Sequence, residues 1–235
     1  MKTFFNVIFA ICLVIPLMAQ DALKEGVIKY EITDASSDDN QMNSQLSMMV
    51  GSTMDLYFKD GMQRTDMSMM GGMMKTTSIA NTEEKTFTNY MNMAGQKVKV
   101  VMSEEEMEQQ RMNTEDPKIE YDKDDTKSIA GYNCYKATWT VDANGQEMNY
   151  SFYITDEISV PGSTLSDINT NALKGVPLSM TVSMESPQDM NLTYTAQEVN
   201  KELPEDAFAF DESGYEEMSM KEMQEKFQTG GMPGM

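Results

Sequence analysis

Residues 54–74 have the sequence MDLYFKDGMQRTDMSMMGGMM, in which apolar and polar side chains alternate on both sides of a turn signal. Alternation with a period of two is typical of a β-strand with one buried face. The pair Asp60-Gly61 is a typical two-residue hairpin turn. A hairpin closed by Lys59 and Met62 places the alternating residues of both halves on one face. These residues are Met54, Leu56, Phe58, Thr65, Met67 and Met69.

The same period recurs through most of the chain. It is found in residues 26–33, 86–93, 97–102, 135–141, 148–154, 178–184 and 190–194. Hairpin signals stand at Gly71-Gly72, at residues 94–96, at Asn144-Gly145 and at Ser186-Pro187. Strict alternation indicates an antiparallel sheet that is covered on one face only. We therefore expect a mainly β fold with about ten strands and two or three short helices.

Helix signals are few. Ser103 and Glu106 form a capping box, which predicts a short helix ending near Met112. The Asp-, Ser- and Asn-rich residues 34–45 are expected to form a polar loop. Residues 214–227 are compatible with a helix, and residues 228–235 are interrupted by Gly and Pro.

The N-terminal residues 1–19 resemble a secretory signal, with Lys2 before an apolar run and Ala19 at the cleavage position. Because the run is shorter than the roughly 20 residues of a membrane-spanning helix, we expect no stable membrane insertion. The predicted organisation is a signal peptide (residues 1–19), a single β-rich domain (20–213) and a Met-rich, partly mobile tail (214–235). The mature protein is expected to be exported, either periplasmic or secreted, and to keep Cys134 as its only cysteine, most simply as a buried side chain.

Composition limits the function. The chain contains 26 Met, no His and a formal net charge of −20. The charge argues against nucleic acid or an anionic membrane surface as partner. Without His the usual general base and the commonest metal ligand are missing, and no nucleophile elbow or phosphate-binding loop is present. We therefore expect a binding protein that is not an enzyme and needs no cofactor.

Methionine is flexible and polarisable, and it lines apolar surfaces that adapt to more than one shape. The first hypothesis is a hydrophobic ligand, such as a lipid or an acyl chain, or an apolar protein partner. The predicted site is Met54, Leu56, Phe58, Met67, Met69 and Met74. The helix starting at Ser103 and residues 163–175 are expected to cover it.

Two alternatives remain open. Thioethers prefer Cu(I), and two side chains in an M-x-M strand share a face, so the protein is alternatively a periplasmic Cu(I)-binding protein. The candidate ligands are Met67, Met69, Met91, Met93, Met218, Met220 and Met223. The second alternative is a structural component of the cell envelope that has a protein partner and no small ligand, with the methionines as core filling.

Several short motifs carry a family resemblance: KSIAGYNCYKA (residues 127–137), YITDEI (153–158), KGVPL (174–178), and an ending from Leu203-Pro204 to Tyr215. Together they resemble exported bacterial proteins of unknown function named for a Gly-Leu-Pro-Gly-Leu-Ile motif, and a related outer-membrane-associated domain of unknown function. Leu178 stands where that motif has its second Gly. The resemblance implies a curved antiparallel sheet, similar to the lipoprotein-carrier fold, that forms a half-barrel around one or more helices on its concave face. It implies no activity and no catalytic residue.

Overall fold

The computed structural model describes residues 21–102, 106, 118–143, 146–160, 164–165, 168–169, 172–184 and 189–223. The predicted signal peptide, nearly all of the helix predicted from Ser103, and the turns predicted at Asn144-Gly145 and Ser186-Pro187 lie outside these residues. Within them, no helix is both long enough and apolar enough to span a bilayer.

The fold is mainly β, as predicted, and consists of one open, curved sheet with few short helices. The strands are β1 (Gly26–Ser37), β2 (Thr53–Lys59), β3 (Met62–Met69), β4 (Met74–Asn81), β5 (Thr86–Met93), β6 (Gln96–Met102), β7 (Lys118–Ile129), β8 (Tyr132–Ala143), β9 (Gln146–Thr155), β10 (Thr164–Leu165), β11 (Ile168–Asn169), β12 (Val176–Met184), β13 (Met190–Asn200) and β14 (Glu216–Glu217).

Twelve strands form the main sheet in the order β14-β6-β5-β4-β3-β2-β1-β13-β12-β9-β8-β7, and β10 pairs with β11 separately. Every pairing in the main sheet is antiparallel except that of β14 with β6. The long first strand therefore joins two arms. We call β2 to β6 the first arm, and β13, β12, β9, β8 and β7 the second arm.

The hairpin between β2 and β3 follows the prediction. Lys59 pairs with Met62, and Asp60 and Gly61 adopt positive φ angles of 46° and 76°. These angles match the turn that suits the right-handed twist of a hairpin. The next hairpin closes one residue earlier than the Gly71-Gly72 signal suggested, because the last pair is Met69 with Met74.

Residues 34–45 do not form the predicted loop. Strand β1 continues to Ser37, and α1 (Asn40–Leu46) follows it. The Asp39 side chain accepts a hydrogen bond of 2.8 Å from the Met42 backbone N–H, which caps the helix start. Met42 and Leu46, four residues apart on one helix face, pack into the core. The polar composition thus reflects a cap and an exposed helix face.

The core lies on one face of the sheet, which we call the inner face. Four of its residues have no exposed surface: Ile28 on β1, Leu56 on the first arm, and Phe152 and Leu178 on the second arm. Cys134 is also buried and free, as expected. Burial raises the pKa of the Cys134 thiol to about 11.

The opposite, outer face is polar on the second arm, where Ser and Thr hydroxyls meet across strands. Thr181 and Thr193 are 3.0 Å apart, and Ser183 donates to Asn191 over 2.6 Å. On the first arm the outer face is covered by residues 207–215. The Arg64 guanidinium there donates to the carbonyl oxygens of Ala207 and Ala209 at 3.2 and 2.6 Å.

The tail continues from this cover. Tyr215 packs against Tyr90 at 5.3 Å between ring centroids, and β14 then pairs with β6 through Glu216 and Glu217. Residues 220–223 are helical. Only this last stretch agrees with the helix predicted over 214–227 within the described residues, because the edge of β6 offers backbone hydrogen bonds that hold residues 216–217 extended.

Candidate functional site

The cross-strand register places methionine side chains together at one end of the inner face. Met69 pairs with Met74, and Met74 pairs with Met93, so that three neighbouring strands each contribute one methionine to a row. Side chains directly opposite each other in such a pair have their Cβ atoms about 4.5–5.5 Å apart. We call Met69, Met74 and Met93 the first methionine row.

A second row occupies the same end of the sheet on the other arm. Met148 pairs with Met184, and Met184 pairs with Met190. Ser37, the last residue of β1, pairs with Met190 and thus places this row beside the end of β1. We call Met148, Met184 and Met190 the second methionine row, and the end of the sheet that carries both rows the methionine end.

The two rows are only partly buried, and the residues deeper on the same face are sealed. All six methionines have intermediate exposure. Met54, on the neighbouring strand β2 opposite Met67, is 1% exposed, and Met180, four residues before Met184 on β12, is 2% exposed. On the second arm exposure therefore rises toward the methionine end, whereas on the first arm β2 is buried and the inner-face residues of β4 and β5 keep intermediate exposure along their whole length.

Loops at the methionine end add exposed apolar side chains. Met70 and Met73, in the turn between β3 and β4, are 40% and 64% exposed, and Met48, just before β2, is 58% exposed. A cleft of ≈ 300 Å³ lies between the stretch 48–53 and the stretch 68–72, on the side of Thr53 and Ser68, which belong to the outer face. Exposed apolar side chains gathered at one place mark an interaction site more often than single ones do.

Two buried polar atoms on the inner face have no hydrogen-bond partner in the described part of the chain: Asn89 Oδ1 on the first arm and Trp139 Nε1 on the second. Trp139 pairs with Tyr150, one step from the second methionine row. A buried donor or acceptor without a partner costs free energy. One acceptor and one donor on this face are therefore left without a partner among the described residues.

The structure divides the six residues of the predicted hydrophobic site into two groups. Met54, Leu56 and Phe58 are sealed in the core, at 1%, 0% and 1% exposure. Met67, Met69 and Met74 lie on the same face with intermediate exposure. Only the second group is placed to contact a ligand without unfolding of the core.

The expected covers are partly in place. Leu173 is buried in the core cluster together with Ile158 and Val160. The α1 helix, which was not expected, also covers the inner face through Leu46. The cover predicted from Ser103 lies outside the described residues, apart from Glu106, which is helical.

The seven candidate copper ligands separate into two places. Met67, Met69, Met91 and Met93 lie on the inner face of the first arm. Met218 instead follows β14, and its N–H donates to the Lys99 carbonyl oxygen over 2.9 Å. Because β14 runs parallel to β6, the chain at Met218 is heading away from the methionine end.

Sequence reasoning missed the second methionine row. The alternation that includes Met148, Met184 and Met190 was visible in the sequence, but the pairing of β9 with β12 joins segments with other strands between them. Sequence spacing alone carries no signal for that pairing.

Among the described residues no group of three or more Cys, Asp or Glu side chains is placed to hold a metal ion. Comparison of the sequence with models of known protein families and with curated proteins gives no match.

Proposed function

We propose that this protein binds an uncharged hydrophobic ligand with a long acyl chain at the methionine end of its inner face. The observation that carries the proposal is the pair of partly exposed methionine rows at the same end of the two arms of one curved sheet. Each side chain has three rotatable bonds, so the two rows adapt to a chain of variable shape. The ligand would lie against both arms and above the sealed core.

The unpaired polar atoms favour a lipid with hydroxyl and ester groups over a plain hydrocarbon. A ligand hydroxyl would donate to Asn89 Oδ1 on the first arm, or an ester carbonyl oxygen would accept from Trp139 Nε1 on the second arm. Charge favours a neutral molecule, because the net charge of −20 repels anionic lipids. A monoacylglycerol combines these properties.

The same proposal includes that the protein is exported and that it is related to the exported proteins with a lipoprotein-carrier-like fold that its motifs resemble. Contact with membrane lipids or envelope proteins would give an exported carrier access to such a ligand. Binding would be driven by burial of apolar area, at about 25 cal/mol per Å² before the costs of association.

The proposal is tested with N-phenyl-1-naphthylamine, a neutral dye whose fluorescence rises in apolar surroundings, followed by displacement with monoolein. We expect the purified protein to bind the dye and to release it on addition of monoolein. The double variant Met74→Asp, Met184→Asp places one carboxylate in each row and should lose dye binding.

The matched control is Met62→Asp. Met62 has a similar intermediate exposure, but it pairs with Lys59 and Asn81 at the other end of β3. This control should bind the dye normally. Failure of the wild-type protein to bind the dye, or equal loss in the double variant and the control, contradicts the proposal.

A further inference from the structure

Met74, on the inner face of the first arm, has four other methionines as neighbours on the two adjacent strands. Met74, at the start of β4, has Met69 and Met93 directly opposite it on the two neighbouring strands. One pair further along, Met67 and Met91 both pair with Thr76. Each is therefore a diagonal neighbour of Met74, at a distance of about 7–8 Å between Cα atoms that long side chains can span.

From this arrangement we infer that the first methionine row is a Cu(I) site. Met69, Met74 and Met93 are its ligands, and Met67 or Met91 is close enough to serve as an additional ligand. A neutral thioether is a soft ligand that selects Cu(I) over Zn²⁺ or Mg²⁺, which prefer imidazole, thiolate or oxygen. This site goes beyond the proposed lipid function, because it depends on sulfur and not on apolar area.

The surroundings of the row suit a cation that must enter and leave. All five side chains are partly exposed, so that solvent reaches them without unfolding. The net charge of −20 raises the local concentration of cations around the protein.

The second methionine row has the same three-residue geometry and lacks these additional sulfurs. Its neighbouring pairs on the core side are Tyr150 with Val182 and Val182 with Leu192. The Tyr150 hydroxyl also donates to Met148 Sδ at 3.9 Å, which occupies that sulfur. The second row therefore serves as the matched control for the first.

The experiment is an anaerobic titration of the full chain with Cu(I) in competition with the chromogenic chelator bicinchoninate. Wild type should withdraw one Cu(I) per chain from the chelator. The triple variant Met69→Leu, Met74→Leu, Met93→Leu keeps volume and apolarity and removes all three sulfurs. It should lose Cu(I) binding.

The corresponding triple Leu variant of the second row should bind Cu(I) like wild type. Absence of Cu(I) binding in wild type, unchanged binding in the first-row variant, or equal loss in both variants overturns the inference. Dye binding by the wild-type protein separates this failure from failure of the lipid proposal. X-ray absorption of the wild-type complex should show sulfur as the only nearest neighbour of copper.

Discussion

Core methionines and ligand-facing methionines should lose different amounts of unfolding free energy when they are replaced by alanine. Met54→Ala removes a side chain that is 1% exposed and leaves a cavity in the core. Such a change costs about 2–5 kcal/mol of unfolding free energy. Met74→Ala removes the same atoms from a partly exposed position, where water can fill the space. Without the cavity, we expect a cost of about 1 kcal/mol or less.

The assay is equilibrium urea unfolding of delipidated, metal-free protein, because a bound ligand would stabilise the folded state. With a slope of about 1–3 kcal/mol per M urea, a loss of 3 kcal/mol lowers the midpoint by about 1–3 M. The Met74→Ala midpoint should lie within about 1 M of wild type. Met62→Ala, on the outer face, controls for loss of a half-buried methionine far from the site.

Equal destabilisation by Met54→Ala and Met74→Ala would refute the division, because it would make the first methionine row part of the packed core. The same titration with monoolein present extends the test. Wild type should be stabilised by the lipid, whereas Met74→Ala should gain less.

Three further predictions concern other parts of the fold. Burial raises the pKa of the Cys134 thiol from 9.0 to about 11. The buried neutral thiol therefore contributes its full stabilisation of the folded state below pH 9, and this stabilisation is lost as the pH rises toward 11. Urea unfolding between pH 8 and pH 11 should show a pH dependence of the unfolding free energy that is smaller by roughly 2–3 kcal/mol in Cys134→Ala than in wild type. Arg64→Lys removes the guanidinium, whose Nη1 donates to both the Ala207 and the Ala209 carbonyl oxygens while Nε and Nη2 bind Asp66. We expect a loss of about 1–3 kcal/mol of unfolding free energy together with faster proteolysis of residues 207–223. Unchanged proteolysis would contradict this role. Gly175→Ala places a Cβ atom 2.6 Å from the Thr155 carbonyl oxygen, and thermal unfolding should show a loss of about 1–3 kcal/mol.

Most of the first arm could be predicted from the sequence because its information is local, although no turn was predicted between β4 and β5. Each hairpin from β2 to β6 has a short turn, and a turn with positive φ at Asp60-Gly61 or Ala94-Gly95 fixes the register of both strands beside it. The face shared by Met54 and Met67 follows directly from that register.

The parts that could not be predicted depend on contacts between distant segments. The pairing of β9 with β12 creates the second methionine row, and the Arg64 contacts with residues 207–209 fix the cover of the outer face. The α1 helix was missed for another reason. Its polar residues resemble a loop, and only its cap and its contact with the core explain why it is helical.

The most direct test of the account is a spectrum of protein labelled with ¹³C at the methionine methyl groups, recorded during titration with monoolein and assigned by single Met→Leu variants. The signals of Met69, Met74, Met93, Met148, Met184 and Met190 should shift, while those of Met54 and Met62 should stay in place. Shifts confined to residues 218–223 or to Met62, or no shift at saturating lipid, would contradict a ligand site at the methionine end.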